Sequence, residues 1–123
     1  MRNKALKNIG NELKKGNIIF SYVNDDIHVL LPNNFGILEI SIWKDDEDSI
    51  QLLEGDYHTH GDIEAREYGL TREKAIRRLI EDIYNGKLFL VEIFEEGYEP
   101  EKTIIKSLDY VQKNVEYKLY NKI

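Results

Sequence analysis

The hydrophobic period of this chain changes near residue 18, and that change constrains the fold more than any other feature. Before it, Leu6, Ile9 and Leu13 recur at spacings of three and four with lysines on the other face, which predicts a helix over 3–15 ended by Gly16. After it the period is two. The runs "NIIFSYV", "IHVLL", "GILEISIW" and "SIQLLEG" are short, β-branched and aromatic, and predict strands at 18–23, 27–31, 37–43 and 49–54. They are separated by "NDD", "PNNF" and "KDDED", which is turn chemistry. Connections this short join antiparallel neighbours, so a four-stranded meander is expected. Along 37–43, Leu38, Ile40 and Ile42 point to one face, the core side, while Ile37, Glu39, Ser41 and Trp43 point to the wetter one.

Downstream, "TREKAIRRLIEDIYNG" predicts a helix capped by Thr71, with Ile76, Leu79, Ile80 and Ile83 as its buried stripe and Gly86 at its end. "KLFLVEIF" at 87–94 predicts an apolar strand. In "EPEKTIIKSLDYVQKN", Ile104, Ile105, Leu108 and Val111 fit the helical period and Pro100 suits a first turn, so 101–113 is read as helix, with a hairpin strand as the other option. "VEYKLY" alternates as a last strand. The expected order is αββββαβαβ: one α+β domain over 1–123, with helices on one face of a mainly antiparallel sheet formed by the meander and two later strands. Residues 55–70 read as a long irregular connection, a place where function often resides. Tyr22 and Tyr117 are expected in the core.

Composition narrows the function classes. A chain of 123 residues with 41% hydrophobic and 33% charged residues can bury a core of its own. Without cysteine it has no disulfide and no thiolate metal site, so any metal would rest on His and carboxylates. No segment has the run of apolar residues that a membrane span needs, and the expectation is a cytoplasmic protein. The net charge of −6 opposes binding to phosphate backbones, which makes nucleic acid an unsuitable partner and a basic protein a suitable one.

Two groups of residues are candidate sites. "GDYHTHGD" puts His58 and His60 two apart, on one side of an extended segment where both can approach one Zn²⁺, with Asp56 and Asp62 as carboxylate ligands or as hydrogen-bond partners of the ligands. His28 starts its strand at the opposite end of the expected meander and does not complete a third imidazole ligand. The second group is acidic. The turns after the first and third strands fall at the same end of the sheet, gathering Asp25, Asp26, Asp45, Asp46, Glu47 and Asp48 where they can steer a cationic partner. Trp43, on the wetter face, is a candidate interface anchor. The run lacks the spacing of a calcium loop, and Arg66, Arg72, Arg77 and Arg78 are interleaved with acids as on a salt-bridged helix surface.

"YHTHGD" resembles the His-x-His element of the JAMM metalloproteases. In that family a proline follows the second histidine and a Ser-x-x-Asp lies downstream. Here Gly61 replaces the proline and 61–75 contains no serine, so no catalytic role is carried over. In overall texture, "GDYHTHGD" leading into "AIRRLIEDIYNGKLFLVEIF" is similar to small bacterial immunity proteins of polymorphic toxin systems. That resemblance implies a non-enzymatic antidote without a cofactor, which binds and occludes a toxin domain, often a basic one. Two alternatives stand beside it: a zinc-dependent hydrolase built on the His58/His60 loop, and a homo-oligomeric structural protein that self-associates through the wetter face.

Overall fold

The helical stripe and the period-two runs fold as their spacing requires. In the computed structural model, which describes residues 3–43 and 47–121, helix α1 spans Lys4–Lys15. Its N-cap Asn3 accepts a hydrogen bond from the Ala5 N–H at 2.7 Å. Strands β1 (Phe20–Val23), β2 (Asp26–Leu30), β3 (Ile37–Ile42) and β4 (Asp48–Leu52) form the antiparallel meander, and β5 (His58–Thr59) adds a fifth strand beside β4. Helix α2 (Gly61–Tyr68) leads through Gly69 into α3 (Arg72–Tyr84), which Thr71 caps. Strands β6 (Phe89–Phe94), β7 (Glu101–Ile105) and β8 (Glu116–Leu119) form a separate three-stranded antiparallel sheet in the order β7-β6-β8. The class is α+β.

One core joins the layers. Ile27, Val29, Leu38, Ile40 and Ile50 on the inner face of the five-stranded sheet are fully buried against Leu6, Ile9 and Leu13 of α1 and Ile76, Ile80 and Ile83 of α3. The two helices are also tied by Arg77, whose Nη1 donates to Glu12 Oε1 at 2.7 Å.

Four expectations change. The later strands do not extend the meander but pair among themselves in a second sheet. The segment 101–113 takes the strand option at its start: Thr103, Ile104 and Ile105 are β-branched in succession, and β7 pairs with β6 from Phe89↔Ile105 to Ile93↔Glu101. A short 3-10 turn, Leu108–Tyr110, follows. Residues 55–70 are not one irregular connection but contain β5 and α2, and Gly69 ends α2 at φ 69°, a left-handed conformation suited to glycine. Tyr117 lies outside the core at 43% exposure, because β8 is an edge strand with little packed against it, whereas Tyr22 does pack on the core. No helix among the described residues is long and apolar enough to cross a membrane.

Candidate functional site

The face of the five-stranded sheet turned away from α1 and α3 is built by pairing register. Ser21 stands opposite His28, His28 opposite Glu39, Glu39 opposite Gln51, and Gln51 opposite His58, giving a polar row across all five strands. Glu39 is its hub. Its carboxylate receives His28 Nε2 at 2.9 Å and the Gln51 amide Nε2 at 3.0 Å. Apolar side chains flank the row: Leu30 is 61% exposed beside Ile37 and near Ile19 at one end, and Trp43 is 57% exposed at the other. Such a face combines hydrogen-bonding groups with large apolar contact area, as protein interfaces do.

The register also revises the position of His28. Because β5 folds back onto β4, His58 lies in the same row as His28 rather than at the far end of the sheet. Three strand spacings, roughly 14 Å, still separate them, and Glu39 and Gln51 fill the interval. His28 therefore shares no site with the other two histidines.

His58 and His60 are neighbours, with ring centroids 4.6 Å apart and planes 82° to one another. Each is already engaged. His60 Nδ1 donates to the Asp48 carbonyl at 2.6 Å, and His58 Nε2 pairs with the Ser49 hydroxyl at 3.0 Å. The two aspartates do not join them: Asp56 hydrogen-bonds β7 through its backbone, to Lys102 O at 2.8 Å and from Thr103 Oγ1 at 2.7 Å, and Asp62 sits exposed in the first turn of α2. Among the described residues no group of three or more His, Asp or Glu side chains is arranged to hold a metal ion. The geometry is that of a loop pinned by hydrogen bonds.

The acidic group divides. The β1–β2 and β3–β4 turns do fall at one end of the sheet, and Asp25 and Glu47 are exposed there, with Asp26 half-buried. Asp45 and Asp46 lie outside the described residues. Asp48 does not belong to this surface. It is 2% exposed, turned inward, and accepts from the Gly61 N–H, so it caps α2 from a distant strand. Its Oδ2 accepts no hydrogen bond among the described residues and faces Arg72 Nε at 3.8 Å. Burial raises its pKa, an effect reinforced by Asp62 and opposed by the Gly61 hydrogen bond and by the charges of Arg72 and His60. Period two explains the error: Asp48 begins β4 in phase with Ile50 and Leu52, which are core residues.

A cleft of about 600 Å³ between α2, α3 and β7 was not anticipated. Tyr57, Glu64, Tyr68, Asp82 and Ile104 line it. The signal was present as Gly61, Glu64 and Tyr68 at helical spacing, but reading 55–70 as irregular concealed that these residues share a face. No protein-family model, curated protein or solved structure matches this chain.

Proposed function

We propose that the protein is a binding module for another protein, an antidote of the immunity type, that engages a basic toxin domain through the open face of its five-stranded sheet. The observation that carries this reading is Trp43, exposed at 57% beside the acidic turns that hold Asp25, Asp26 and Glu47. An exposed indole supplies a large rigid contact, and carboxylates beside it raise the rate of encounter with a cation-rich surface. The polar row of Ser21, His28, Glu39 and Gln51 offers hydrogen-bond partners between Trp43 and the apolar end at Leu30. Together these span four strands of the sheet, and a standard interface buries about 800 Å² per partner.

The test uses as partner a toxin domain sought among the products of the genes adjacent to this one. Calorimetric titration should give one-to-one binding, weakened about 30-fold or more by Trp43→Ala, the loss expected when an interface anchor is truncated. Replacing Asp25 and Asp26 by lysine should slow association chiefly at low salt. Unchanged affinity in both variants would sink the reading. A concentration-dependent mass in light scattering that Trp43→Ala abolishes, without toxin binding, would assign the same face to self-association.

A further inference from the structure

The cleft between α2, α3 and β7 carries an observation independent of the sheet face. Glu64 projects from α2 into it and is only 6% exposed, yet among the described residues its carboxylate has no hydrogen-bond or ion-pair partner. Of the other charged residues lining the cleft, Lys87 is exposed at its edge, and the remaining ones are engaged with one another or with neighbours. Lys106 Nζ is held by Glu67 at 2.7 Å, and Asp82 accepts from Tyr68 Oη at 2.7 Å and from Arg78 Nε at 3.3 Å. A largely buried carboxylate that opens only on the cleft takes its hydrogen-bond donors from whatever occupies the cleft, a ligand or water.

The walls indicate what would supply them. Leu79, Leu88, Ile104 and Ile105 form the apolar side, and Tyr57, Tyr68 and Tyr110 present rings. An ionised carboxylate only accepts, and tyrosine faces attract cations. We propose that this cleft is a binding site for a small organic ammonium ion, whose charged head pairs with Glu64 while its hydrocarbon or aryl body lies against the leucine and isoleucine side. The volume lies within the usual range for sites that enclose a small molecule. Glu64 has an elevated pKa, first because it is buried and then because Glu67 is near, with Lys106 opposing; the charge of a bound cation would act against both.

The probe is 2-phenylethylammonium, titrated into the full chain and followed by amide chemical shifts, with 2-phenylethanol and 3-phenylpropionate as neutral and anionic counterparts. The expected result is saturable binding of the amine, shifts centred on Tyr57, Glu64, Leu79 and Ile104, and binding by the alcohol and the acid weaker by about tenfold or more, as befits a charge-assisted contact. Glu64→Gln keeps the shape and removes the charge, so it should lose amine binding by a similar factor while folding normally. The proposal is overturned if no amine binding is detected, if the alcohol binds equally well, or if Glu64→Gln binds the amine as wild type does.

Discussion

The five-stranded and three-stranded sheets use the same antiparallel pairing and share one core, but the smaller one depends on a polar anchor as well. The larger one presents Ile27, Val29, Leu38, Ile40 and Ile50, all fully buried, to two helices. In the smaller one Leu90, Val91 and Ile104 are buried, while Glu116, Tyr117 and Lys118 of β8 are exposed. To the core contacts of Leu90 and Ile104 it adds a polar anchor. Asn121, buried at the end of the chain's described part, donates from Nδ2 to Ile83 O at 2.9 Å and Leu88 O at 2.6 Å, and its Oδ1 accepts from Leu90 N at 2.8 Å. Apolar burial is non-directional and shared among many neighbours, whereas three bonds to one amide fail together when that amide is removed.

Substitutions on the two sides should separate these behaviours. Ile40→Ala, in the middle of the large sheet, should cost about 3 kcal/mol and lower the whole unfolding transition in denaturant, since Ile40 is fully buried in the core that the sheet and both helices share. Asn121→Ala should cost about 2 kcal/mol, because one buried donor and two buried carbonyls lose their partner. Its effect should be local. Hydrogen exchange should accelerate first at β8 and at Leu90, with the β2 and β3 amides still protected. Equal acceleration in both sheets would mean that they unfold as one unit and that Asn121 is no local anchor.

The same contrast sets how much was legible in the sequence. The meander, α1 and α3 are written in single-period runs whose apolar faces are the buried ones, so position and orientation followed directly. The segment 101–113 carries Ile104, Ile105, Leu108 and Val111 at spacings that suit a helix, but the decisive partner, β6, is fixed by long-range pairing that spacing does not encode. Asp48 was misplaced because a charged residue in an acidic run reads as surface unless the strand phase is followed into it. His58 and His60 were correctly seen as neighbours, but the hydrogen bonds that occupy them come from Asp48 and Ser49 across a pairing invisible without β5.

At the junction between the two regions, Gly61→Ala tests the misplaced aspartate. A Cβ there would stand 2.5 Å from Asp48 Oδ2 and 2.7 Å from Arg72 Cγ, so either the cap or the α2–α3 packing must shift. The cost should be about 1–2 kcal/mol by thermal unfolding, in the range of overpacking a tight contact. A neutral outcome would mean that Asp48 is free to swing out and rejoin the acidic surface.

The smallest expected effect is a gain, and its dependence on pH makes it diagnostic. Burial raises the folded-state pKa of Glu64 above its ordinary value of 4.5, so the folded protein holds that proton more tightly than the unfolded chain does. The favourable contribution is fully present below pH 4.5 and is lost as pH rises through the folded-state pKa, where the buried carboxylate must ionise. Glu64→Gln never ionises. Relative to wild type it should therefore show no change of stability in acid, a growing advantage as pH climbs above the ordinary glutamate range, and a constant advantage beyond the folded-state pKa. Because Asp48 titrates alike in both proteins, the difference between their melting curves isolates Glu64. At a fixed concentration 2-phenylethylammonium should stabilise wild type more than Glu64→Gln, which narrows or reverses the gap at neutral pH. A gap that persists unchanged into acid would locate the gain in packing rather than in the lost charge.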